Sequence, residues 1–316
     1  MRERAETQPG DAPSSLLRKG REGGRLGPWL LAVRPRTLTA AVVPVLVGSA
    51  LALRAGRFDF IPALAALIGA LLIQIGTNLA NDVDDFERGA DTRARRGPLR
   101  VTQGGLLAPD QVRWAAWAAF AGAAATGLYL VAHAGWPIAV LGAAAIAAGW
   151  AYTGGPWPLG YLGLGDLLVF IFFGFAAVVG TYYVQAGAAG GLVWALSIPV
   201  GALATAILVV NNVRDCDTDR EAGKRTLAVR FGERFGRAEY GALLAIAYLV
   251  PTGLWATGTC GPWILLPWVA APRALGLAGT VMRCTDARSF NAALGGTARL
   301  HGEFGALLAA GISLAG

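Results

Sequence analysis

Residues 167–213 read LLVFIFFGFAAVVGTYYVQAGAAGGLVWALSIPVGALATAILVVNNV, a run of 47 residues without Asp, Glu, Lys or Arg. Asp166 alone separates it from a second charge-free run of 52 residues, 114–165. A helix crossing a bilayer needs about 20 apolar residues, so each run supplies two crossings. Working outward, further apolar stretches predict helices near 37–55, 60–81, 114–132, 135–152, 167–186, 192–210, 240–257, 261–280 and 299–316. The expected fold is all-α, a polytopic transmembrane bundle of about nine helices. Composition agrees: the 316 residues are 55% hydrophobic and 15% charged, with a mean hydropathy of +0.50. Soluble domains carry about 25% charged residues. An ordinary soluble enzyme, a disordered chain and a disulfide-rich secreted module are therefore excluded.

The net charge of +7 does not call for nucleic acid, because Lys and Arg gather in cytoplasmic loops of membrane proteins. With the N-terminus inside, 24 of the 27 basic residues fall on the cytoplasmic side. Only Arg54 and Arg57 fall outside, and Arg273 lies within the eighth stretch without a side assigned. Residues 1–28 mix charges with Gly and Pro and lack the apolar core of a secretory signal. They read as a flexible cytoplasmic extension ahead of a membrane domain spanning 29–316. Cys216, Cys260 and Cys284 have no paired spacing and receive no role.

Two charged loops follow the second and sixth helices and so share one membrane face. The first reads Asn78-Leu-Ala-Asn81-Asp82-Val-Asp-Asp85-Phe-Glu-Arg-Gly89. The second reads Asn211-Asn-Val-Arg-Asp215-Cys-Asp-Thr-Asp219-Arg-Glu-Ala-Gly223. Each has Asn four residues before the first Asp, a second Asp three or four later, and Gly four beyond that. On a continuing helix such spacings put Asp82 with Asp85, and Asp215 with Asp219, on one face. Adjacent carboxylates need a cationic partner, and their hard oxygens suit Mg²⁺ bridging to phosphate. The plainer alternative is solvated charge at helix ends, which Asp84 and Asp217, on the opposite faces, are expected to be. Asp91 is intermediate.

Arg93, Arg95, Arg96 and Arg100 follow the first cluster, while Arg214, Arg220, Lys224 and Arg225 surround the second. Arg grips phosphate as a fork and Lys as a point charge, although positive-inside topology alone fills such loops with Arg. Lys224 is one of only two lysines. Asn78, Asn81, Asn211 and Asn212 offer neutral amides for metal or phosphate, or else for helix capping. Tyr152, at the cytoplasmic end of the fourth helix, could steady a carbocation through its ring. His133 and His301 are the only histidines, and no phosphate-binding GxxxxGK[ST] loop occurs.

These motifs resemble those of the UbiA family of intramembrane prenyltransferases. The resemblance runs from about residue 29 to the end. It is carried by Arg34-Pro-Arg-Thr-Leu38, Asn78 to Gly89, Gly97-Pro-Leu-Arg-Val-Thr-Gln103, Phe170 to Tyr183 and Asn211 to Gly232. The GPLRVTQ and FFGFAAVVGTYY segments point to the branch acting on 1,4-dihydroxy-2-naphthoate. One departure is Gly89, where many members have a third Asp. The resemblance implies Mg²⁺ held by Asp82, Asp85, Asp215 and Asp219, with Lys224 and Tyr152 as further catalytic groups. It implies substrate contacts from Asn78, Asn81, Arg100, Gln103, Asn211 and Arg225. It also implies the reaction: a polyprenyl diphosphate alkylates the naphthoate ring with loss of diphosphate and CO₂, giving demethylmenaquinol for menaquinone biosynthesis. Rival readings are the same chemistry on 4-hydroxybenzoate, a homogentisate-like ring or a phosphoribosyl group, or a secondary transporter.

Overall fold

A computed structural model describes residues 24–91 and 96–315, so most of the N-terminal extension, with Arg93 and Arg95, lies outside the described residues. Those described residues are mostly helical, with no strand among them. Helix α1 (Gly27–Val33) leads through a short turn into α2 (Thr39–Arg54). Then come α3 (Phe60–Glu87), α4 (Pro109–Ala134), α5 (Trp136–Ala151), α6 (Gly165–Ala186) and α7 (Gly191–Arg214). Two short helices, α8 (Cys216–Glu221) and α9 (Leu227–Phe231), precede α10 (Glu233–Ala256), α11 (Pro262–Arg283) and α12 (Ala287–Leu314). Local chemistry sets several starts. Asp59 caps α3 by accepting from the Ile61 amide, Asp286 caps α12 by accepting from Ser289, and proline opens α4.

Every predicted stretch coincides with a helix of the all-α bundle. Among the described residues, five helices are long and apolar enough to cross a membrane, or six if the bent α1–α2 pair counts as one. Three more fall short of that length or apolarity. Helix α5 has only 16 residues, and α10 and α12 begin with charged turns. These two start earlier than their apolar stretches suggested, at Glu233 and Ala287, because amphipathic turns extend each helix beyond its greasy part. Arg273, left without a side above, pairs with Glu303 of α12 at 3.0 Å.

Helix α7 is the axis of the bundle. Its apolar window is 78% buried, against 22% for that of α3. Leu196, Val200, Leu203, Ala206, Val209 and Val210 of α7 join side chains of α2, α10, α11 and α12 in one core. At Gly174 and Gly201 the α6 and α7 backbones nearly touch: a Cβ on Gly174 would lie 2.9 Å from the Gly201 Cα. Small residues permit such close helix crossings. Helix α6 widens there into a π-type turn over Phe170–Ala176. A separate cluster, including Leu79, Val83, Val112 and Phe120, joins α3 to α4. Outward-facing Trp114 and Trp157 at one end, and Trp136, Trp255 and Trp263 at the other, fit two interfacial belts.

Candidate active site

Both aspartate motifs, the α5–α6 loop and the start of α12 meet at one end of the bundle. Helix α3 continues past Asp85 to Glu87, so Asp82 and Asp85 share a buried face, at 1% and 2% exposure. The second motif forms differently. Helix α7 stops at Arg214, Asp215 occupies the junction, and α8 resumes at Cys216. The Asp219 amide donates to the Asp215 carbonyl at 2.7 Å, keeping the two acids one turn apart.

Cations hold the first acid pair. Arg100 places Nη2 3.0 Å from Asp85 Oδ2, Nη1 4.0 Å from Asp82 Oδ2 and Nε 3.4 Å from Asp91 Oδ2. Asp91, placed between ligand and bystander by its spacing, is thus buried with the motif. Asp82 also accepts from the backbone amides of Thr102 at 3.0 Å and Val101 at 3.4 Å. Arg34 sits in a left-handed conformation (φ 55°) that breaks α1 from α2, and its Nη2 lies 3.8 Å from Asp82. A non-glycine residue in that conformation stores strain, which surrounding contacts must hold.

Lys224 joins the halves. Its Nζ lies 3.2 Å from Asp85 Oδ1 and 3.8 Å from Asp219 Oδ1. It also sits 4.8 Å above the ring of Tyr161, whose hydroxyl donates to Asp85 at 2.7 Å. Burial first, then the Asp85 charge and this hydrogen bond, push the Tyr161 phenol far above its usual range, so it stays protonated. Tyr161 was not singled out from the sequence, where it is one aromatic residue in a Gly-Pro-rich loop. Asp215 has its own clamp: Arg214, 1% exposed, donates from Nε at 2.8 Å and Nη2 at 2.6 Å.

The amides divide their work. Asn78 donates to the Val33 carbonyl and Thr37 hydroxyl, tying α3 to the α1–α2 break. Asn81 accepts from the Thr153 hydroxyl at 2.7 Å. Asn211 accepts from Arg214, and Asn212 donates to buried Asp166 at 3.2 Å. Asp84, expected to be solvated, is only partly exposed and 3.3 Å from the Thr153 hydroxyl, because the α5–α6 loop folds over it. Asp217 is half-exposed and pairs with Arg96, as expected for a surface charge. Gln103 is half-buried three residues after Arg100, while the Arg225 side chain is exposed and its backbone amide donates to Tyr161.

Beneath this polar end lies an almost wholly apolar cavity of about 700 Å³ between α2, α3, α4, α5 and α6. Gln74, Thr77, Trp150 and Tyr152 line it nearest the motifs, while Val131, Ile138 and Val184 line it farther away. Thr77 precedes Asp82 by five residues, about 7.5 Å of helical rise. Tyr152 thus stands where the apolar space meets the charged end.

Among the described residues no three candidate ligands converge into a preformed metal cage. The acids are instead paired with Arg and Lys. Hard carboxylates beside cations are the donor set that a magnesium diphosphate requires, the carboxylates turning to the metal and the cations to phosphate. The residues present therefore fit the group.

Residues 41–298 match the model of the UbiA prenyltransferase family. A protein of Mycobacterium tuberculosis named 1,4-dihydroxy-2-naphthoate octaprenyltransferase is 43% identical over 80% of this chain and 85% of its own length. Its namesake in Escherichia coli is 41% identical over 82% of this chain and 86% of its own. Among solved structures, a UbiA homolog from Aeropyrum pernix K1 superimposes with a TM-score of 0.67 at 16% identity, covering 85% of this chain and 96% of that one. Another, from Archaeoglobus fulgidus bound to GPP and Mg²⁺, gives 0.63 at 15%, covering 89% and 99%. Fold and relatives agree, and the chain belongs to the UbiA family of membrane prenyltransferases.

Proposed function

We propose that this protein transfers a polyprenyl chain from polyprenyl diphosphate to 1,4-dihydroxy-2-naphthoate, with loss of diphosphate and CO₂, giving demethylmenaquinol. The observation that carries it is Lys224 spanning Asp85 and Asp219 at one end of an apolar cavity. The prenyl chain lies in the cavity, and its diphosphate reaches the polar end. Asp82, Asp85, Asp215 and Asp219 would hold Mg²⁺, which would supply the charge that stabilises the departing diphosphate. Arg100, Lys224 and Arg225 grip the phosphate oxygens, with Asn78, Asn81, Gln103 and Asn211 at their margin.

Cleavage of the allylic C–O bond leaves an electron-poor carbon, which the Tyr152 ring steadies. The ring carbon bearing the carboxyl group attacks it. The C–C bond forms, and the electron pair of the departing carboxyl group restores the aromatic ring as CO₂ leaves. Tyr161, kept protonated, holds Asp85 in place. By the positive-inside rule the basic loops favour the cytoplasmic face of the cell membrane for this end, with residues 1–28 as an extension ahead of the 29–316 domain.

The test is turnover of purified protein in detergent with polyprenyl diphosphate and 1,4-dihydroxy-2-naphthoate, with Mg²⁺ or EDTA, read by mass spectrometry. A Mg²⁺-dependent prenylated product lacking the carboxyl group is expected. Turnover only with another aromatic acceptor would discard the naphthoate. No turnover by folded protein with any acceptor would discard the transferase.

A further inference from the structure

Asn291, in the second turn of α12, belongs to neither aspartate motif, yet its side chain connects both. Its Oδ1 accepts from Arg214 Nη1 at 2.7 Å, and its Nδ2 donates to the Arg96 carbonyl at 3.1 Å. The remaining Arg214 donors go to Asp215 and Asn211. Arg96 leads the segment in which Arg100 contacts Asp82, Asp85 and Asp91. In the same segment the Val101 and Thr102 amides donate to Asp82.

We propose that Asn291 is a positioning residue. It fixes Arg214 behind Asp215 and, through the Arg96 carbonyl, holds the backbone that delivers Arg100 to the first motif. The proposal rests on reading the two motifs as one active site. An amide suits this place because one end accepts from a guanidinium while the other donates to a carbonyl. Asp at this position keeps the first bond and loses the second. Ala loses both.

To cut after Arg96, trypsin must attack the Arg96 carbonyl carbon and take its oxygen into the oxyanion hole, so the Asn291 bond to that oxygen protects the peptide link. Full-length protein in detergent is digested briefly with trypsin, the fragment ending at Arg96 is quantified by mass spectrometry, and kinetics are measured in parallel. Asn291→Asp is expected to speed cleavage after Arg96 about tenfold, the effect of losing one hydrogen bond. It is expected to raise KM for polyprenyl diphosphate by a larger factor than it lowers kcat. Asn291→Ala is expected to show the same cleavage and a larger fall in kcat, since Arg214 is freed as well. Cleavage at the wild-type rate in both variants overturns the proposal, as does a loss confined to kcat in Asn291→Asp. If Asn291→Ala does not fold, Asn291→Asp decides alone, because it retains the Arg214 bond. Faster cleavage in variants of a protein without transferase turnover refutes the proposed reaction and leaves the clasp standing.

Discussion

Replacing Lys224 by Met should change metal binding and turnover in opposite directions. The ammonium lies 3.2 Å from Asp85 and 3.8 Å from Asp219, both within ion-pair reach. At about 4 Å, a unit charge pair is worth about 1 kcal/mol in water and about 4 kcal/mol near a protein surface. The Lys224 side chain is 16% exposed, which places its attraction between those limits. Met keeps much of the stem and removes the charge. Asp85 still has Arg100 and Tyr161, so folding should be little affected. A divalent cation no longer competes with the ammonium for Asp85 and Asp219. At the lower limit, Mn²⁺ should bind about tenfold more tightly. Turnover should fall about 100- to 1,000-fold, the usual loss when a donor aimed at developing negative charge is removed. Electron paramagnetic resonance titration with Mn²⁺ reports the first effect, and product formation under saturating substrate reports the second. Weaker Mn²⁺ binding, or turnover within threefold of wild type, would refute the assignment of Lys224 to a shared metal–diphosphate site.

Asp82→Ala and Asp215→Ala should each abolish turnover in protein that still inserts and unfolds cooperatively, and measurable turnover in either removes that acid from the site. Tyr161→Phe removes a hydrogen bond to a carboxylate, worth about 1.5–3 kcal/mol, so kcat/KM should fall about 10- to 150-fold while thermal stability barely changes. Gly142 lines the cavity with open space where a Cβ would go, so Gly142→Phe should cut turnover of long prenyl diphosphates while sparing short ones, as competition between chain lengths would show.

Much of this arrangement is legible in the sequence, since charge-free runs mark membrane helices and their basic loops mark one face. The matching offsets of Asn78 with Asp82 and Asn211 with Asp215 also place two acid motifs together. The sequence does not show how each half completes its site, because those partners come from distant segments. Tyr161 reaches Asp85 from 76 residues away, and Asn291 reaches Arg214 from 77. Neither has a local spacing that would mark it. Equal spacing also conceals unequal geometry, for Asp85 lies on a continuous helix while Asp215 sits at a break. Helix ends are less legible for a related reason: charged turns extend α10 and α12 beyond the apolar stretches that mark them.

The enclosed α7 and the more outward-facing α3 each carry one of the two acid motifs. Because the cavity is bounded by α2 to α6 and avoids α7, the helix that keeps the bundle together is not among those that shape the chain it accepts. Side chains of α4 and α5 can therefore be enlarged or trimmed without opening a hole in the main core. Mutation can tune the size of the donor there, while changes of the same size on α7 would unfold the protein that uses it.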